Sequence, residues 1–240
     1  MNKSFIMKKV IVAAVTCFVS LVLQAQCDIY IPMKKGTAYE MTMYNDRDKV
    51  SGTVTYFVKE VMNDGQDAEM ANEVKNEKGK LLSTSNYTIH CQNGQMSIDL
   101  KSMIPAQTLD GYKDMDIKAN GNGVLLLPAN LSVGQTLPDA TSSWDISSKG
   151  TTTIMTTLSI SITNRQVVSK ESIVTPAGTY DCFNITANMK MVTAIMGMEI
   201  PFEVSSEEYY CPGVGLVKSV SYSKSGKLQG YNVLSKITNN

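Results

Sequence analysis

The side chains that could carry out acid–base or nucleophilic catalysis are few. The only histidine, His90, follows Ile89 in an alternating pattern, which places it on the wetter face of a strand. A catalytic base needs a nucleophile and an orienting acid close by, and the sequence contains no G-x-S-x-G nucleophile elbow. We therefore interpret His90 as a bystander and predict no catalytic residue and no enzymatic activity.

Paired carboxylates are a second candidate chemistry, because glycosidases and calcium sites use them. Glu207 and Glu208 are adjacent, so on a strand they point to opposite faces and cannot flank one substrate bond. Asp114 and Asp116 could share a face, but neither an EF-hand spacing nor an aromatic-rich sugar platform accompanies them. Solvated charges that discourage strand-to-strand aggregation explain these acids better. A hydrolase is therefore our third-ranked hypothesis.

Methionine is frequent, with 15 residues in a chain of 240, and Met189, Met191, Met196 and Met198 fall within ten positions. Thioethers can bind Cu(I), but no histidine accompanies them, so we predict no metal site and no cofactor. Two interpretations stay open. One is core packing, and the other is an adaptable apolar surface that lines a ligand groove. The groove candidates are these four methionines and Trp144, although Trp144 also suits a core anchor.

Residues 1–25 have the features of a secretory signal peptide. Three lysines and no acid precede an apolar run of 14 residues from Val10 to Leu23, and Ala25 is a suitable small residue at the cleavage point. The run is shorter than the ~20 residues that span a bilayer, and no lipobox residue precedes Cys17 or Cys27. We predict an exported soluble protein that begins near Gln26, periplasmic or at the cell surface, with no transmembrane segment.

Charge and cysteine content narrow the function further. Residues 26–240 carry 19 basic and 22 acidic residues, so the basic excess typical of nucleic-acid binding is missing. No C-x-x-C motif indicates a thiol oxidoreductase or a zinc ribbon. Four cysteines in an exported chain favour disulfides. We predict Cys27–Cys91 and Cys182–Cys211, since each pair lies within one half of the chain. Free buried thiols are the alternative.

The segments that contain these residues have the sequence pattern of β-strands. Turn signals recur every ten to fifteen residues, among them Asn93 with Gly94, Asn164 with Arg165, and Pro176 to Gly178. Between the turns, apolar and polar residues alternate with a period of two. The pattern predicts an all-β fold of antiparallel, hairpin-rich sheet, wrapped as a half-barrel or packed as a sandwich. At most one or two short helices are expected.

Residues 121–139 differ from the rest of the chain. Gly134, Pro128 and Pro138 disfavour a continuous regular strand there. We predict that this segment is a crossover between halves 28–120 and 140–240 of a single all-β domain that covers residues 26–240.

Three segments between residues 120 and 225 resemble motifs of one family. TPAGTYDCF at 175–183 resembles P-A-G-T-F-D-C, and EYYCPGVGLVK at 208–218 resembles an aromatic residue followed by A-P-G-V-G-x-V-K. The stretch from Leu127 to Asp139 resembles P-x-x-L-x-V-G-x-x-L-P-D. The chain thus resembles the TapB-like exported proteins, secreted β-proteins of Bacteroides-type bacteria. That resemblance implies an exported all-β fold and no established activity. Cys211 stands where the family pattern more often has Ala, which suggests that it pairs with Cys182.

Together these observations predict a non-enzymatic exported protein that binds an apolar or amphipathic, lipid-like molecule in a sheet-lined cleft. The alternative is an envelope structural or adhesion module that binds a protein partner along a sheet edge.

Overall fold

The computed structural model describes residues 30, 33–104, 111–121 and 123–239. Thirteen strands form one antiparallel sheet, which confirms the all-β, hairpin-rich prediction. Helical structure in the described residues is limited to two 3-10 turns, Asn63–Gly65 and Leu100–Met103. The strands are β1 (Ala38–Asn45), β2 (Val50–Met62), β3 (Asp67–Asn76), β4 (Leu81–Gln92), β5 (Gln95–Asp99), β6 (Met115–Asn120), β7 (Val124–Pro128), β8 (Ala140–Ser148), β9 (Ile154–Thr175), β10 (Gly178–Ile195), β11 (Met198–Cys211), β12 (Gly215–Ser223) and β13 (Leu228–Thr238).

The strand order is β6-β8-β9-β10-β11-β12-β13-β1-β2-β3-β4-β5-β7. Hairpins join successive strands from β1 to β5 and from β8 to β13, because each pair is separated by a short turn. The first and last strands then pair with each other, with Ala38 opposite Thr238. This ladder makes one sheet out of segments that are far apart in the sequence.

The sheet curls around its inner face. Near one edge, the amide of Gly123, which precedes β7, donates to the carbonyl of Thr141 in β8 at 3.3 Å, although these two strands lie almost at opposite ends of the strand order. The pairing register keeps one set of side chains on the inside. Met189 of β10 lies opposite Ile162 of β9 and Val204 of β11, and all three face the interior.

A bulge in β9 changes which residues face inward. The prediction of a turn at Asn164 and Arg165 is wrong, because β9 runs unbroken for 22 residues through both. Asn164 adopts a φ of 54°, and the register with β10 shifts around it. A bulge inserts one extra residue and so reverses the alternation of faces. Buried positions are even-numbered up to Ile162 and odd-numbered from Arg165, which places the arginine inside.

The segment from 121 to 139 begins with a regular strand, β7, which pairs with β5 at the sheet edge. Residues 129–139 then cross to β9 and bind its bulge. The Gly134 amide donates to the Val167 carbonyl at 2.7 Å, and the Leu137 amide donates to the Arg165 carbonyl at 2.9 Å. The crossover thereby fixes the position of the bulge.

Two apolar clusters and two disulfide-bonded sites stabilise the sheet. The larger cluster joins β1–β5 with β9–β13, and the smaller one packs Trp144, which is buried, beneath the 3-10 turn at Leu100–Met103. A disulfide joins Cys182 to Cys211, the predicted pair. Cys91 is also disulfide-bonded. Its predicted partner, Cys27, lies outside the described residues.

Candidate ligand cavity

The curled sheet encloses a cavity of about 490 Å³. This volume falls within the range of roughly 300–1,000 Å³ that is typical of small-molecule sites. Most of its wall is apolar, and it is contributed by strands from both ends of the sheet order. The apolar wall includes Met41, Met70, Val74, Met96, Ile98, Leu125, Ile162, Ile185, Met189, Val204 and Leu216.

Small side chains on one wall create the space. Ser206 of β11 lies in register with Ala187 on one side and Ser221 on the other, and all three line the cavity. On the facing wall, Met70 lies opposite Tyr87 in the ladder between β3 and β4. Large side chains therefore meet small ones across the interior, and the volume that the small residues leave is the cavity.

Methionine is prominent in this wall. Five of the 15 methionines of the chain line the cavity: Met41, Met70, Met96, Met103 and Met189. Thioether side chains adapt to irregular apolar shapes, as a variable ligand would require. Four of the five were not singled out by the sequence, because they are dispersed along the chain and only the register of the strands brings them together.

The residues named as groove candidates lie along one face that leads away from the cavity. Met189 is in the cavity wall, and Met191 is partly buried beside it in the smaller cluster. Trp144 is 3% exposed in that cluster. Met196 and Met198 lie at the tip of the β10–β11 hairpin, where they are 84% and 73% exposed.

A polar cluster occupies one end of the cavity. Arg165 is 5% exposed, and its Nη1 donates to the carbonyls of Leu126 and Pro138, both at 2.8 Å. Glu208 and Tyr210 lie two residues apart on the inner face of β11 and are hydrogen-bonded to each other, with the tyrosine hydroxyl as donor. An apolar chamber with a few converging polar groups is the usual form of a small-molecule site.

Burial shifts the pKa of each group in this cluster towards its neutral form, and nearby groups partly offset the shift for Glu208 and Arg165. Burial raises the pKa of Glu208, while the Arg165 charge and the hydrogen bond from Tyr210 act to lower it. Burial lowers the pKa of Arg165, which nearby Glu208 partly offsets. Burial raises the pKa of Tyr210 well above its usual value, so its hydroxyl remains a donor at neutral pH. The cluster therefore combines a buried cation, a carboxyl group and a phenol.

The sequence interpretation of the acids was wrong for Glu208, which is a cavity residue and not a solvated edge charge. The prediction that its neighbour points to the other face is confirmed, since Glu207 accepts a hydrogen bond from the Tyr209 hydroxyl at 3.0 Å outside the cavity. The two-residue spacing of Val204, Ser206 and Glu208 was the available signal for an inward row. No comparable signal marked Arg165, because the bulge places it.

The two ends of the cavity differ. At the polar end the rings of Tyr30 and Tyr210 meet edge to face with their centroids 6.3 Å apart, and the crossover covers Arg165. Towards the other end, the lining residues Thr84 and Met103 are exposed. The mouth of the cavity is thus on the side away from the polar cluster.

His90 lies outside the cavity. Its side chain is 51% exposed, and Nδ1 lies 2.7 Å from Oδ1 of Asp67, a contact that lowers the pKa of the aspartate. Over the part of the chain that the structure describes, no group of three or more His, Cys, Asp or Glu side chains could hold a metal ion. Within the same residues, no helix has the length and apolar character needed to cross a membrane.

Comparison with known proteins supports the fold and places the chain in a family. A crystal structure of a candidate lipoprotein from Parabacteroides distasonis is similar with a TM-score of 0.66 and 24% identity, over 88% of this chain and 98% of that one. A candidate exported protein with a YmcC-like fold from Bacteroides fragilis is similar with a TM-score of 0.64 and 20% identity, over 89% and 100%. No curated protein matches the sequence, and neither structure carries the TapB-like name. The DUF3108-like family matches residues 34–234, and the chain belongs to that family.

Proposed function

We propose that this protein is an exported, non-enzymatic binder of an apolar or amphipathic small molecule of lipid-like character, held inside the curled sheet. The observation that carries the proposal is the cavity of about 490 Å³, whose wall is rich in methionine. Well-packed interiors contain few voids larger than a water molecule. A cavity of this size, kept open by Ala187, Ser206 and Ser221 in register, is more easily explained by a ligand than by core packing.

The polarity of the wall suggests how the ligand lies. The apolar part would contact Met41, Met70 and Met189, and a polar end would reach Arg165 and Glu208. The Arg165 guanidinium, the Glu208 carboxyl and the Tyr210 hydroxyl together supply hydrogen-bond donors and acceptors, so the cluster suits a polar, hydrogen-bonding end of the ligand. Arg165 retains donors beyond the Nη1 that binds the two carbonyls.

Export to the periplasm or cell surface is supported by two independent features. Residues 1–25 have the composition of a signal peptide, and the disulfide between Cys182 and Cys211 is of a kind that persists in oxidising compartments. The two similar structures are themselves described as a candidate lipoprotein and a candidate exported protein.

A titration with a fluorescent fatty-acid analogue tests the binding function. Mature protein, unfolded in denaturant to release bound material and then refolded, should bind the probe saturably with one site per chain, and an unlabelled amphiphile should displace it. A probe signal that rises without saturation, or that amphiphiles cannot displace, would contradict the proposal and favour the protein-partner alternative.

A further inference from the structure

Exposed apolar side chains concentrate at one rim of the sheet. In the described residues 14 large apolar side chains are exposed, and all but Ile117, Val133, Val168 and Val174 border this rim or the cavity mouth. The rim is defined by the turns 46–49, 77–80, 149–153, 196–197 and 224–227, which lie on the same side because antiparallel hairpins alternate between the two ends of a sheet. A concentration of exposed apolar side chains on one side of a protein is a mark of an interaction site.

At this rim the β10–β11 hairpin extends beyond its neighbour β12. β12 pairs with β11 only from Val204 onwards, so residues 198–203 are bound to β10 on one side and are unpaired on the other. Met198, Ile200 and Phe202 are 73%, 62% and 56% exposed, and they continue the inward row of β11 that includes Val204 in the cavity wall. An apolar strip therefore leads from the cavity to the hairpin tip.

The tip itself combines exposure with an unfavourable backbone. Met196 has a φ of 48° and is 84% exposed, and Gly197 has a φ of 82°. Two-residue turns with positive φ at both positions favour Asn-Gly or Asp-Gly. A methionine at the first position gives up that preference and also leaves its apolar side chain in water. A backbone outlier of this kind suggests a functional constraint.

Charge is unequal between the two rims. The five turns of this rim carry seven basic and three acidic residues, a net charge of +4. The four hairpin turns of the opposite rim, at 63–66, 93–94, 176–177 and 212–214, carry one acid and no base. Basic residues around an apolar patch complement an anionic lipid surface, which attracts them by roughly 1 kcal/mol each.

The free edge of the hairpin is poorly suited to a protein strand. Pro201 lies in the middle of the unpaired segment and has no N–H to donate, and edge prolines block strand addition. Glu199 and Glu203 lie on the other face of β11, away from the apolar strip, and Glu203 is bound by Lys190 and Lys224. The apolar interior of a lipid bilayer can accommodate the exposed apolar strip without forming backbone hydrogen bonds to the free edge.

We propose that this rim docks on an anionic lipid bilayer, with the tip at Met196 and Met198 and the strip at Ile200 and Phe202 entering the interface. The lysine-bearing turns then lie against the headgroups, and the cavity mouth faces the membrane side. The docking surface uses residues outside the polar cluster, so it requires no ligand in the cavity.

Vesicle co-sedimentation tests the proposal on the full mature chain. Vesicles of phosphatidylglycerol and phosphatidylethanolamine are compared with vesicles of phosphatidylcholine alone. The test variant is Met196→Asn with Met198→Thr, which restores a favoured Asn-Gly turn. The control is Val174→Thr, which alters a 78% exposed apolar residue near the opposite rim.

Wild-type protein should bind the anionic vesicles, and the tip variant should bind them at least about tenfold more weakly, the equivalent of ~1.4 kcal/mol. Val174→Thr should bind as wild type does, and raised salt should weaken binding. The tip variant should be as stable as wild type or more stable, because it relieves the turn. Equal binding of the tip variant and wild type would overturn the proposal, as would equal loss in both variants. Absence of vesicle binding together with specific capture of one envelope protein would replace it with a protein interface.

Discussion

A substitution that fills the cavity from its small-residue wall tests whether the cavity is a ligand site or a packing defect. Ser206→Phe places a phenyl ring between Ala187 and Ser221, where the inner face carries only small side chains. Burial of a phenylalanine side chain is worth about 1.5–3 kcal/mol relative to exposure. We expect a gain of about 1–2 kcal/mol in the free energy of unfolding, since the ring replaces a hydroxyl that faces the cavity and part of the burial is offset by adjustment of neighbours.

The same ring should exclude the ligand. We expect the affinity for a fluorescent fatty-acid analogue to fall at least about tenfold, or ~1.4 kcal/mol. Stability is measured by urea unfolding followed by circular dichroism, and affinity by fluorescence titration. Ser205→Phe is the matched control, because it puts the same ring on the opposite face of β11 and should leave probe affinity unchanged. A stable Ser206→Phe protein that binds the probe as tightly as wild type would refute a site in this cavity.

Three further predictions concern the residues that hold the site. Replacing Cys182 and Cys211 with Ala should lower the free energy of unfolding by about 2–5 kcal/mol, measured by urea unfolding, since the disulfide constrains a sequence separation of 29 residues; no loss would mean that the bond is not formed in the native protein. Burial raises the pKa of Glu208 above its usual 4.5, so folding favours the protonated carboxyl group. The stability that this group contributes is fully present below its usual pKa and is lost as the pH rises through the raised pKa. The free energy of unfolding of Glu208→Gln, measured in urea and compared with that of wild type, should therefore be relatively higher at pH 8 than at pH 4. A relative increase at pH 4 instead would contradict the raised pKa. Asn164→Val should cost about 1–2 kcal/mol in the same assay, because a β-branched residue is strained at a φ of 54°, whereas Asn164→Gly should be tolerated; equal effects would mean that the bulge does not require this backbone conformation.

The strands could be predicted because their signal is local. Alternation and turn residues between 152 and 163, or at Pro176 to Gly178, depend only on neighbouring positions, and the structure confirms both a strand and a turn there. The Cys182–Cys211 pair was predicted from the position of both residues within one half of the chain and from the family resemblance, and the structure places them on strands joined by one hairpin.

The cavity depends on relations that sequence spacing does not encode. Arg165 faces inward because of one extra residue at Asn164, which read as a turn. Met70 and Ser206 line one chamber because the ladder between β1 and β13 brings distant strands around to face each other. The sequence indicated that Glu208 was one of a pair of solvated acids. In the structure the curled sheet places its side chain in the cavity wall. The dense methionine run ends at the hairpin tip, whereas four of the five methionines that line the cavity lie elsewhere along the chain.

The most direct measurement is native mass spectrometry of the mature protein purified from the envelope of its own host, followed by solvent extraction. Occupancy of the cavity predicts a recurring lipid-like adduct on the wild-type chain, lost on denaturation and recovered in the extract, and a bare chain mass for Ser206→Phe prepared in parallel. An adduct of equal abundance on both proteins, or a bare wild-type chain that also fails to take up an added fatty-acid analogue, would contradict the ligand-binding function.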